Sequence, residues 1–287
     1  IGLMAALHDE ISAFLTHIQA RHAADGVGAQ PENAPPKPAP GLRGNQAPSM
    51  ANPPMGAGAQ ALRSHGQHAH QNQPDAHGER GEAPAIPFVP GMHRLAGRQF
   101  HCLRWHGLEL VVVLAGVGKV AAATTASLLA DRFGVQAMAF TGVAGGLASG
   151  VQVGDVVLAQ QLLQHDIDAS PLFPRHEVPL TGISRFAVDA GLTESLQRAA
   201  LALLADLPGC VGPEVMTRYR LQQARVHQGL IVSGDRFVAT NAEREALLAE
   251  LPDALAVEME GAAVAQVCHD FDLPLVVVRT VSDRADD

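Results

Sequence analysis

Short, continuously apolar runs alternate along the chain with stretches whose apolar residues recur every three or four positions. The runs IGLMAAL (1–7), QFHCLRW (99–105), LELVVVLAG (108–116), VQAMAFTG (135–142), GDVVLAQQLLQHD (154–166), VHQGLIVSG (226–234), DALAVEME (253–260) and LPLVVVRT (273–280) predict strands. EISAFLTHIQARH (10–22), GKVAAATTASLLADRFG (118–134), LTESLQRAALALLADL (192–207), NAEREALLAEL (241–251) and GAAVAQVCHDF (261–271) predict helices, the second closed by Gly134. Strands that are apolar throughout are buried on both faces, which requires helices above and below them. The pattern therefore predicts a three-layer α/β domain.

One stretch breaks the pattern. Residues 22–90 hold most of the chain's 19 prolines and are rich in Gly, Gln and His. Such a segment cannot bury enough apolar surface to offset its ordering entropy, so it is expected to be a disordered insertion into a single domain spanning 1–287. His65, His68, His70 and His77 could chelate a metal ion, but no acidic or cysteine partner fixes a geometry, and a polar linker is the better reading. The apolar start is too short for a membrane span of about 18 residues or more, has no basic region before it and reads as a strand. The chain has no initiator Met and reads as part of a longer one.

Charge narrows the partners. A net charge of −9 and a pI near 5.8 disfavour nucleic acid and anionic membrane surfaces and suit a small neutral or cationic ligand. Three widely spaced cysteines, Cys102, Cys210 and Cys268, fit reduced thiols in a cytoplasmic enzyme rather than a disulfide framework. No cofactor or structural metal is expected. His165, Asp166 and Asp168 suggest a metal at first glance only.

In α/β folds ligands collect where the chain leaves the carboxyl ends of strands. Polar punctuation stands at several such places: Asp9 and Glu10 after the first strand, Gly142, Gly145 and Gly146 in FTGVAGGL, Phe237 in SGDRFV, Glu258 and Glu260 in VEMEGA, and Arg279, Ser282 and Asp283 after the last strand. Each has a plain alternative. The carboxylates could open helices, the glycines could form a simple turn, Ser282 and Asp283 could cap a helix, and Phe237 could be core. Glu258 and Glu260 are expected on one side of a strand.

Taken together, IGLMAALHDE, AGVGKVAAA, TGVAGGL with VGDVV, QHDIDA, GLIVSGDRF, AVEMEGAAVAQVCHDFDLPLVVVR and SDRADD resemble the 5′-methylthioadenosine/S-adenosylhomocysteine nucleosidases of the nucleoside phosphorylase superfamily, in family order. The resemblance implies a nucleoside phosphorylase-like α/β/α domain with a central mixed sheet, closed by a further helix after Asp287. It implies hydrolysis of the N-glycosidic bond of 5′-methylthioadenosine, S-adenosylhomocysteine or 5′-deoxyadenosine. Such chemistry needs a proton for the purine, an activated water and stabilisation of the ribosyl cation.

By the same resemblance Asp283 is the acid at purine N7, Glu10 activates water, Arg279 lies near that water, and Glu260 binds the ribose hydroxyls. Phe237 stacks on adenine, the Val238 backbone reads the purine edge, Met259 packs under the ribose, Ser282 orients Asp283, Val117 lines the 5′ pocket, and Val143, Ala144 and Gly145 lie beside the nucleophile. Since an exposed Asp titrates near about 3.9, Asp283 must be held protonated by a dry site or hydrogen bonds while Glu10 stays ionised. The family is homodimeric, with the partner subunit closing the 5′ pocket, and places His165, Asp166 and Asp168 in a loop near the site and subunit contact.

Val143 stands where the best-known members have Ser, and the insertion has no counterpart in them. A purine nucleoside phosphorylase is the main competitor, but Phe140 stands where phosphorylases carry Arg, and "HDE" where they have "GDP". A futalosine-type specificity and a non-catalytic nucleoside-binding protein are the further alternatives.

Overall fold

The computed structural model describes residues 1–5, 15 and 85–285. Two compact units divide the chain. The first comprises residues 1–26 and 83–287, and the second, residues 27–82, lies outside the described residues. Glu10, the first predicted helix apart from Leu15, and nearly all of the expected insertion also lie outside them. The last residues of that insertion are described and pack on the domain. Ile86 N donates to Arg132 O at 2.6 Å, and Phe88 lies against the core, so packing begins before Pro90 because these side chains are apolar.

Among the described residues eleven strands form one mixed sheet: β1 Gly2–Ala5, β2 Gly91–Leu95, β3 Arg98–Trp105, β4 Leu108–Leu114, β5 Met138–Thr141, β6 Val143–Gly146, β7 Val156–Gln164, β8 Phe186–Ala187, β9 Val226–Ser233, β10 Ala254–Glu258 and β11 Leu275–Asp283. Their order is β2-β3-β4-β1-β5-β11-β6-β10-β9-β7-β8, and β11 also pairs with β7. That extra pairing closes β11, β6, β10, β9 and β7 into a ring, so the sheet ends in a barrel-like half. Helices α1 Lys119–Asp131, α2 Ala190–Ala205, α3 Leu207–Arg218, α4 Asn241–Glu250 and α5 Gly261–Asp270 complete the predicted α/β fold. No single helix among the described residues is long and apolar enough to cross a membrane.

The central strands β1, β4, β5 and β11 run parallel, with Met4, Val111, Val113, Met138, Phe140 and Val277 buried between layers. Small residues let α1 and α5 sit tightly on them: Ala122, Ala126, Ala262 and Ala265 are all core. All three cysteines are free, and burial pushes the Cys268 thiol up to about 12, which leaves it an inert core residue.

One expectation is corrected here, and one open reading is decided. VAGG, for which a simple turn was the plain alternative, is a strand. A Cβ on Gly145 would lie 3.0 Å from Asp283 Oδ1, and one on Gly146 would lie 3.1 Å from Val281 Cγ1, so the glycines let β6 pair closely with the end of β11. Glu258 and Glu260 do not share a strand face: β10 ends at Glu258, and Glu260 is the cap residue immediately before α5.

Candidate active site

The carboxyl ends of β9, β10 and β11, the turn after β4 and strand β6 converge on a cavity of about 240 Å³. Its lining includes Val117, Val143, Ala144, Gly145, Phe237, Val238, Met259, Glu260, Ser282 and Asp283, ten of the residues singled out in the sequence. Val117 is 61% exposed and Phe237 66%. Two large apolar groups held open at one cavity mouth are a ligand surface in waiting rather than misplaced core.

Asp283 is half-buried and oriented from both sides. Ser282 Oγ donates to its Oδ2 at 2.8 Å, and Ala285 N donates to its Oδ1 at 2.8 Å.

Glu258 and Glu260 divide their work. Glu258 accepts from Glu260 N at 3.2 Å and from Gly261 N at 2.8 Å, while Ser233 Oγ accepts from Ala262 N at 2.7 Å and donates a short bond to Glu258. These bonds satisfy the free amides at the start of α5. Glu260, released from capping its own helix, accepts from Gly118 N at 2.8 Å and faces the cavity. Burial, and then the neighbouring Glu258, push the Glu260 carboxyl above its ordinary value.

That shift fixes a sign. A carboxyl whose folded pKa lies above its unfolded one subtracts stability once pH exceeds the folded value, and the loss vanishes below the ordinary carboxylate range. Glu260→Gln is therefore expected to raise the thermal midpoint at pH 7–8, with the gain gone near pH 4. Scanning calorimetry across that range checks it, and a midpoint lowered at pH 8 would contradict the assignment.

Arg279 stands behind the cavity wall. It is 1% exposed and is not among the cavity-lining residues; its guanidinium donates to Glu258 Oε2 at 2.7 Å, Val278 O at 3.0 Å and Phe140 O at 3.2 Å, and stacks 4.1 Å above the Phe140 ring. Arg236 and Val257 line the cavity although nothing in the sequence marked them beyond adjacency to Phe237 and Glu258. No group of three or more His, Cys, Asp and Glu side chains among the described residues is placed to hold a metal ion.

The profile of the phosphorylase superfamily matches residues 71–287. The 5′-methylthioadenosine/S-adenosylhomocysteine nucleosidase of Shewanella pealeana is 32% identical over 196 residues, covering 68% of this chain and 77% of the relative. The chain belongs to the phosphorylase superfamily, among its nucleosidases. The aminodeoxyfutalosine nucleosidase of Helicobacter pylori is 36% identical over 193 residues, covering 67% of this chain and 75% of the relative. The Neisseria meningitidis 5′-methylthioadenosine/S-adenosylhomocysteine nucleosidase, solved in complex with methylthio-immucillin-A, superposes with a TM-score of 0.60 at 35% identity, covering 68% of this chain and 77% of that one. The expected resemblance, the fold and the enzyme class, an N-glycosyl hydrolase, all stand.

Proposed function

We propose that this nucleosidase hydrolyses the N-glycosidic bond of a 5′-thio-substituted adenosine, 5′-methylthioadenosine or S-adenosylhomocysteine, releasing adenine. The observation that carries the reading is one cavity holding an oriented carboxyl, Asp283, a second carboxyl freed from helix capping, Glu260, and an exposed aromatic, Phe237. Asp283 protonates purine N7 so that adenine leaves neutral. Glu260 accepts from the ribose hydroxyls, and its negative charge favours the developing oxocarbenium. Glu10, outside the described residues, activates the water. Val143 is 39% exposed on the cavity wall and offers no hydrogen bond there.

Water rather than phosphate is the acceptor in this reading. Phe140 is fully buried beneath Arg279, whose guanidinium is committed to Glu258 and two carbonyls, so neither residue supplies an anion site. We assign the active form as a cytoplasmic homodimer and the chain as a single domain carrying the insertion.

The test is adenine release from 5′-methylthioadenosine by the full-length protein. Equal rates with and without phosphate, and free methylthioribose as co-product, are expected; a strict phosphate requirement would place the protein with the phosphorylases, and tight binding without release would make it a binding protein. Because of the Helicobacter relative, aminodeoxyfutalosine belongs in the same assay, and a higher kcat/KM on it would reassign the 5′ substituent.

Phe237→Ala separates stacking from packing. Base–aromatic stacking contributes about 1–3 kcal/mol, so KM should rise roughly 5- to 150-fold. The thermal midpoint should hardly move, because the ring is 66% exposed. An unchanged KM would remove Phe237 from the adenine site.

A further inference from the structure

Three turns meet at the cavity rim and are joined by a closed cycle of hydrogen bonds. Lys119 N donates to Asp235 Oδ1 at 2.8 Å, Asp235 N donates to Asp166 Oδ2 at 2.8 Å, and Lys119 Nζ donates to Asp166 Oδ1 at 2.6 Å. The cycle thus returns to the residue from which it started.

Lys119 and Asp235 each stand within two residues of the cavity lining. Lys119 opens α1 just after Val117 and Gly118, and Gly118 N is the donor to Glu260. Asp235 lies two residues before Phe237. Asp166 comes from the end of β7 and is not among the cavity-lining residues, while its neighbour His165 donates through its backbone N to Ser233 O at 2.9 Å. Gly118 has φ 89°, and a Cβ there would lie 3.0 Å from Asp235 Oδ1, so the turn admits the cycle only with glycine at that place.

Asp235 and Glu260 also take the first free amides of α1, whose cap residue Gly118 has no side chain to offer. Of the two carboxylates that cap this helix, Glu260 lines the cavity and Asp235 stands just before the lining residues Arg236 and Phe237, its backbone N–H held by Asp166. Burial works to raise the Asp166 pKa, yet the Lys119 ammonium and the Asp235 N–H hold it below its ordinary value, so the carboxylate stays charged through the neutral range. The Lys119 and Asp166 side chains are 18% and 29% exposed, so the pair is partly shielded from solvent.

We propose that Asp166 is a positioning residue for nucleoside binding, its carboxylate tying the Phe237 turn and the Val117–Lys119 turn into one wall of the cavity. A wall that forms only part of the time weakens apparent affinity by the fraction of time it is formed, and binds ground state and transition state alike. Asp166 touches no reacting atom in this scheme. Its kinetic consequence rests on the nucleosidase reading above; its structural consequence does not.

The experiment compares wild type, Asp166→Ala, Asp166→Asn, Lys119→Met and the Asp166→Ala/Lys119→Met double variant, all full length. In Asp166→Ala, KM for 5′-methylthioadenosine should rise about 10- to 100-fold with kcat within about threefold, and Asp166→Asn should lie between it and wild type. The double variant should be no worse than Asp166→Ala alone, since the contact that Lys119→Met removes is already lost in Asp166→Ala. Without substrate, hydrogen exchange should quicken in peptides covering 117–121 and 234–239 but not in β9 itself. An unchanged KM, a loss confined to kcat, additive effects in the double variant, or unchanged exchange in both turns would overturn the proposal. If wild type failed to cleave 5′-methylthioadenosine, the proposed function would fall, and the exchange measurement would still decide for or against the tie.

Discussion

Asp283→Asn should leave a folded protein that releases adenine on the order of a thousandfold more slowly than wild type, within the range of about 10²–10⁴ that a positioned general acid contributes. The substitution is close to isosteric. The Asn side-chain oxygen can still accept from Ala285 N, as Asp283 Oδ1 does at 2.8 Å, and its Nδ2 can donate to Ser282 Oγ once that hydroxyl turns, so the fold survives while the transferable proton is lost. KM should change little and the thermal midpoint should hold within about 3 °C, the shift that roughly 1 kcal/mol produces in a domain of this size. The defect should also depend on the leaving group. A nucleoside whose base departs without protonation does not need the acid, so the variant should cleave it at close to the wild-type rate. A loss of less than tenfold on 5′-methylthioadenosine, or one equally severe for both substrates, would assign the proton transfer to another group.

Much of the architecture was legible because it is local. Strands such as LELVVVL and LVVVRT carry their burial in their own composition, and the helix at 241–250 carries its start in Thr240 and Glu243, which form a reciprocal cap. The barrel-like closure was not, since pairing Val278 with Leu158 joins segments far apart in the chain and leaves no mark in either. Helix α3 went unread because Gly212, at φ 74°, and Pro213 interrupt its pattern. VAGG stays open between a turn and a ligand-facing segment until β11 is set beside it.

The site shows the same division. Phe237 was visible as a lone aromatic in a polar turn, and Asp283 as a carboxyl at a strand end. Which of Glu258 and Glu260 caps α5 is decided by the direction in which the chain turns after β10, and a two-residue spacing does not encode that direction. Asp166 was marked as a residue type near the site, but the residues that hold it, Lys119 and the Asp235 amide, lie 47 and 69 positions away.

Arg279 presents the reverse case, a residue whose motif suggested chemistry and whose surroundings point to structure. Its side chain and that of Glu258 are 1% and 3% exposed, and the pair lies 2.7 Å apart. Removing one partner from a buried ion pair leaves an uncompensated charge and costs about 3–5 kcal/mol. Arg279→Met should therefore lower the thermal midpoint by on the order of 10 °C, and shift the urea midpoint without a change in slope. The uncompensated charge would belong to Glu258, which holds the Glu260 and Gly261 amides at the start of α5, so Met259 and Glu260 should lose their fixed placement and activity should fall with stability. Replacing both partners separates the two effects. In Arg279→Met/Glu258→Leu no charge is stranded, so the part of the loss due to the uncompensated charge should return, while the buried Glu260 and Gly261 amides and the Ser233 hydroxyl, left without their acceptor, keep the variant below wild type. Activity should not return, since the α5 amides remain without their carboxylate. An Arg279→Met variant within about 1 kcal/mol of wild type, in the range of an exposed pair, would show that Glu258 is held without its arginine, and would return Arg279 to the list of candidates for the water site.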